Sequence, residues 1–188
     1  MGSEHAAAAD PEAIPDAIER QQDDSAQAVE AERVPYLGFL LGGEVYGLPL
    51  QQLREVCRLT RLRRIPGAPS RVAGLVNLRG EIICALNAHA ILGIARSAPV
   101  ETAPDGSGAA GPLPAASPPA FFVALRGFAD PIGLVVDDIA DIYAIDPGRI
   151  EAPPSTWSAE RSAFVIGTAQ VREGLMGLLD LQRLVAGA

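Results

Sequence analysis

The sequence predicts an all-β protein with a few short helices. Two observations carry this. Short apolar runs rich in Val, Ile, Leu and Phe recur along much of the chain, and 19 glycines and 16 prolines in 188 residues favour many turns over long helices. Closely spaced short strands with turn residues between them are the pattern of small β-barrels. The length fits one domain or a compact pair of small subdomains.

Residues 1–33 hold nine acidic side chains against Arg20 and Arg33, a net charge of −7. Their large apolar residues, Ile14, Ile18 and Val29, are too sparse for a buried stripe, so a disordered acidic tail is expected there. The folded region is expected to span 34–188. Tyr36 to Leu41 and Glu44 to Leu48 read as two strands joined at Gly42-Gly43, a strong hairpin signal. Leu50, Leu53 and Val56 stand at helical spacing after Pro49, which predicts a short helix.

The Pro66-Gly67-Ala68-Pro69 cluster predicts a turn, and Ser70 is a fair N-cap for a brief helix over residues 71–74. Glu81 to Leu86 is a further strand. Residues 97–119 carry six prolines and three glycines, a composition expected of an extended insertion or linker. Beyond it, Ala120 to Leu125, Ile132 to Val136, Ile139 to Ile145, Phe164 to Val171 and Gly174 to Leu179 read as strands. Leu181 to Val185 reads as a closing helical turn capped by Asp180. No internal repeat of fixed period is visible.

The net charge is −8, and outside residues 1–33 the chain is nearly balanced, with 14 acids and 13 bases. That balance argues against nucleic-acid binding, which needs a concentrated basic face. Apolar runs fall well short of the roughly 20 residues of a membrane helix, so no membrane insertion is expected. Two cysteines and no secretory pattern predict a cytoplasmic protein with reduced thiols.

Chemistry is sparse. His5 lies in the expected tail, so any histidine chemistry rests on His89, which has no second ligand at zinc spacing. Asp137, Asp138 and Asp141 lack the EF-hand pattern and read as a solvated loop and strand edge. No nucleophile elbow, Walker loop or dinucleotide fingerprint occurs in a structural context that would support it, so neither cofactor nor metal is expected. Arg58, Arg61, Arg63 and Arg64 could form an anion or partner site, but they also fit an ordinary solvated run. Asn77 and Gly80 bracket a turn that would present Arg79 on a rigid base, as an interface residue or as an ordinary surface arginine.

Several runs together carry a resemblance. They are Leu40 to Leu48, Val56, Ile65-Pro66 with Pro69, and Gly74-Leu75-Val76-Asn77-Leu78-Arg79-Gly80-Glu81-Ile82-Ile83. Gly133 to Asp137 with Ile139 and Ile142, Phe164 to Gly167, and Leu178 to Leu181 extend it. In order and spacing they resemble the CheW family, chemotaxis coupling proteins, over nearly all of 34–188. The resemblance implies two packed five-stranded SH3-like β-barrels with no active site. It also implies two partners, the cytoplasmic tip of a methyl-accepting chemoreceptor and the CheW-like regulatory domain of the histidine kinase CheA.

By position, Arg79 matches an arginine implicated in array contacts, and Leu53 and Glu55 match the partner-binding surface. Phe121 and Phe122 align near the receptor groove. The chain departs from the family after the strand at residue 81. There an apolar-Asp-Leu-Arg run is replaced by Ala85-Leu86-Asn87-Ala88-His89, a change expected to alter interface electrostatics. This departure and the insertion fit an accessory pathway, such as pilus control, as well as a flagellar one. Two alternatives stay open: a regulator binding only one of the partners, and a small-barrel hydrolase or ligand-binding protein using His89, Cys84 and nearby carboxylates.

Overall fold

A computed structural model describes residues 33–95 and 120–187. Residues 1–32 and 96–119, on which the expectations of a tail and an insertion rest, lie outside the described residues. The strands are β1 (Val34–Leu41), β2 (Glu44–Pro49), β3 (Leu53–Arg58), β4 (Val72–Leu78), β5 (Glu81–Asn87), β6 (Phe121–Leu125), β7 (Ile132–Val136), β8 (Asp138–Ile145), β9 (Val165–Val171) and β10 (Gly174–Leu179). Three short helices, α1 (Ala88–Leu92), α2 (Ala159–Ser162) and α3 (Leu181–Ala186), sit among them. The strands form two five-stranded sheets, ordered β8-β1-β2-β10-β9 and β3-β6-β7-β5-β4.

The first hairpin forms where the sequence predicts it. Gly42 and Gly43 take φ of 61° and 86°, the pair of positive angles that a two-residue turn with the right twist requires. The inner strands β1, β2, β6, β7 and β10 are buried on both faces, which is why they read as near-continuous apolar runs. A central core holds Leu37, Phe39, Tyr46, Leu86, Leu134 and Leu179 from both sheets. The reverse face of the second sheet closes over Ile83, Phe122 and Val135, and that of the first over Tyr36, Met176 and Leu178.

The two sheets are built alike. In each, an antiparallel edge strand leads to an antiparallel pair, then to a parallel pairing, then to a final antiparallel strand. The second sheet uses its strands in the chain order β3 to β7. The first uses the same order cyclically permuted, β8, β9, β10, β1, β2. In each the chain beyond the edge strand turns back to bridge the opposite edge, Arg63 to Leu75 and Glu151 to Thr168. Each last hairpin ends in a capped helix, with Asn87 capping α1 and Asp180 capping α3.

From the start of β4 and of β9 to the capped helices the two halves coincide at an offset of 93 residues, a repeat that the sequence hides. Residues 74–92 and 167–185 are identical at three of 19 positions, Gly74/Gly167, Arg79/Arg172 and Leu86/Leu179. The rest exchange one apolar side chain for another, or vary freely.

Two expected helices are absent. After Pro49 only a 3-10 turn, Leu50–Gln52, forms before β3 begins. Leu53 pairs with Leu125 of β6 and is buried, whereas Leu50 and Val56 are each 36 % exposed, so the apparent helical spacing is not one buried stripe. Residues 72–78 form β4, held between β5 and the bridge to Arg63, rather than a helix capped by Ser70. In both places pairing with distant strands overrides a local pattern.

Candidate functional site

The β4–β5 hairpin turns on Arg79 and Gly80. The Asn77 side-chain oxygen accepts the Gly80 backbone N–H at 2.9 Å, an Asx-type contact that fixes the turn. Arg79 has φ of 55° and is the only non-glycine with positive φ among the described residues. A bulky side chain in this conformation costs about 1 kcal/mol, and such outliers gather at functional positions. Its side chain is 78 % exposed, so packing does not account for its presence there.

From this turn Arg79 reaches back to β3, its Nη2 donating to Glu55 Oε1 at 2.8 Å. Beside it Arg54 pairs with Glu81 at 2.6 Å, and its hydrogen bond holds the Glu81 carboxyl below the ordinary carboxylate range. Solvent screens exposed pairs of this kind, so they add little to stability. Their effect is to orient the charged groups of the hairpin tip and the sheet edge into one patch.

The five residues matched to partner contacts do not all reach the surface. Arg79 and Glu55 touch each other. Leu53 is 7 % exposed and belongs to the central core, and Phe122 is fully buried inside the second sheet. Phe121 is half-buried, with the Arg58 guanidinium 5.2 Å from its ring centroid, a cation–π stack at the sheet edge. Two apolar side chains next to the paired carboxylates are exposed, which the sequence reading did not single out: Val56 on β3 and Ile82 on β5, the latter 53 % exposed. Each follows directly after an ion-pairing carboxylate, Glu55 or Glu81, and strand alternation sends each to the opposite face from it.

His89 lies within α1, just past the strand end where the sequence placed it, and is 3 % exposed. Its Nε2 is 2.9 Å from both Asp137 carboxylate oxygens. Asp137 also accepts the Gly42 backbone N–H at 2.8 Å. The expectation that Asp137 is merely solvated is therefore corrected: it joins α1, the β1–β2 turn and the β7–β8 junction. Asp138 and Asp141 are exposed on β8, the sheet edge, as expected.

The departure at residues 85–89 thus falls on a helix cap and a buried pair, and not chiefly on exposed surface. Replacing His89 by Ala is expected to cost about 2 kcal/mol, through the lost packing and hydrogen bonds of a buried imidazole. Urea unfolding followed by circular dichroism checks this. Burial pushes the Cys57 and Cys84 thiols above their ordinary value, so neither is a ready nucleophile. Among the described residues no three His, Cys, Asp or Glu side chains group to hold a metal, and no helix is long and apolar enough to cross a membrane.

Comparison with known proteins gives a consistent picture. The family model for the CheW-like domain matches residues 35–188. The chain is 27 % identical over 157 residues to the chemotaxis protein CheW of Treponema pallidum, covering 84 % of this chain and 85 % of that protein. It is 22 % identical over 151 residues to CheW of Klebsiella aerogenes, covering 80 % and 81 %. Among solved structures, the scaffolding protein TtCheW of Thermoanaerobacter tengcongensis superposes with a TM-score of 0.63 at 24 % identity, covering 81 % of this chain and 87 % of that one. That likeness supports the two-sheet fold.

Proposed function

The chain belongs to the CheW-like family, chemotaxis scaffolds rather than enzymes, and from that premise we propose that it couples chemoreceptors to a CheA-type histidine kinase in the cytoplasm without chemistry of its own. The observation that carries the reading is Arg79, held at φ 55° on a hairpin tip, exposed, and aimed by Glu55. A stability-driven position would hold Gly, Asn or Asp there. An arginine presents a planar fork suited to bidentate contacts across an interface.

Two partners fit the build. The paired sheets offer apolar side chains at their edges for a receptor helix, a helix-in-groove mode. The charged patch of Arg54, Glu55, Arg79 and Glu81 offers a separate polar surface for the kinase regulatory domain. Weak pairwise contacts would then gain strength through the multivalency of an array. Co-sedimentation with receptor-bearing membranes and CheA tests the reading. The chain is expected in the pellet with both and to raise the kinase recovered there; association with only one partner contradicts coupling.

A further inference from the structure

The arginine run after β3 takes no part in the patch around Arg79. Arg61, Arg63 and Arg64 are exposed, and among the described residues no carboxylate reaches any of them. Elsewhere arginines such as Arg54, Arg79, Arg161 and Arg172 each hold a carboxylate. Three like charges within four residues repel one another, and an arriving carboxylate would relieve that repulsion. The backbone beneath them is fixed, because Arg63 and Leu75 exchange hydrogen bonds of 2.9 and 2.7 Å.

The same segment walls a cavity of about 300 Å³. Leu59, Leu62 and Ile65 line it from the segment itself and Val72 and Val135 from β4 and β7, with Arg64, Ser70 and Asn87 as polar members of the wall. Ile65 is 39 % exposed, an apolar side chain left open beside unneutralised charge. The volume is at the small end for ligand pockets and suits an aliphatic side chain or two better than a cofactor. A nucleic acid would answer the charge but would put nothing apolar into the cavity, and Arg61, Arg63 and Arg64 have no aromatic side chain interleaved among them for bases to stack on.

We propose that this face docks an acidic peptide segment of a partner protein. One apolar side chain of the segment enters the cavity, and its flanking carboxylates pair with Arg61, Arg63 and Arg64. Arginine favours this because its fork matches a carboxylate bidentately. The proposal stands apart from the Arg79 patch and does not depend on the coupling role.

The test is fluorescence anisotropy of the full chain with a panel of fluorescein-labelled eight-residue peptides of Asp and Glu carrying two leucines at varied spacing. The same peptides with serine for leucine, and a single-stranded oligonucleotide, serve as comparisons. At least one leucine peptide is expected to bind saturably, to weaken with salt, and to lose about tenfold in affinity on the double substitution Arg61→Glu, Arg64→Glu, or when its leucines are replaced. The thermal midpoint of the variant should stay within a few degrees of the parent. In an amide-resolved titration the shifts should gather between Leu59 and Val72. Equal binding by the serine peptides, tighter binding by the oligonucleotide, or no saturable binding of any peptide at millimolar concentration overturns the proposal.

Discussion

Replacing Phe122 by alanine is expected to lower the free energy of unfolding by about 4 kcal/mol and the thermal midpoint by roughly 10 °C. The ring is fully buried among Leu59, Val76, Ile83 and Val135 in the inner core of the second sheet. It lies so close over β7 that a Cβ at Gly133 would stand 2.3 Å from the ring Cζ. Glycine at 133 is therefore part of the ring's seat, and a truncated side chain leaves a hole that the two sheet faces cannot close. Phe121 is half-buried under Arg58 and should lose only about 1 kcal/mol on the same change. Urea unfolding of the two variants separates them. A Phe122→Ala loss below about 1.5 kcal/mol would mean that its site collapses or was never closely packed.

Gly74→Val is expected to be as severe, with a loss of at least about 3 kcal/mol. Gly74 has φ of 148°, and a Cβ there would stand 2.3 Å from the Arg63 carbonyl oxygen and 2.9 Å from its carbon. That carbonyl accepts the Leu75 N–H in the bridge that brings the two edges of the second sheet together. The side chain would have to push the bridging strand away. The first sheet repeats the arrangement: a Cβ on Gly167 would meet the Glu151 carbonyl at 2.8 Å, beside the Glu151–Thr168 bridge. This shared close approach explains why glycine is among the few identities between the halves. Thermal unfolding checks the prediction, and a midpoint within a few degrees of the parent would show that the bridge is dispensable.

Much of the fold was legible because each strand carried its own punctuation. Gly42-Gly43 announced the first hairpin, and Asp180 the last helix, where its side chain accepts the Arg183 N–H at 3.1 Å. β4 was missed because Ser70 offered a plausible local cap, while its partners, β5 and Arg63, lie elsewhere in the chain. The helix expected after Pro49 failed for the same reason. Strands buried on both faces also conceal which side chains point outward. Phe122 could be assigned to a strand of the site but not seen to be interior to it, and Leu53, expected on a helix, lies instead at the buried start of β3.

At the site itself, Asn77 and Gly80 showed that Arg79 stands on a turn. Its pairing with Glu55, 24 residues away, had no local signal. Asp137 looked like one of three loop acids until Gly42 and His89 converged on it from two other elements.

The coupling account turns on Arg79, and the measurement that tests it most directly pairs assembly with stability in one variant. Arg79→Ala keeps the same φ and removes a side chain that is 78 % exposed, so unfolding free energy should change by less than about 0.5 kcal/mol. In co-sedimentation with receptor-bearing membranes and CheA, the kinase recovered in the pellet should fall at least fivefold. Unchanged recovery of the kinase, or a loss of assembly matched by a collapse of the fold, would contradict the account.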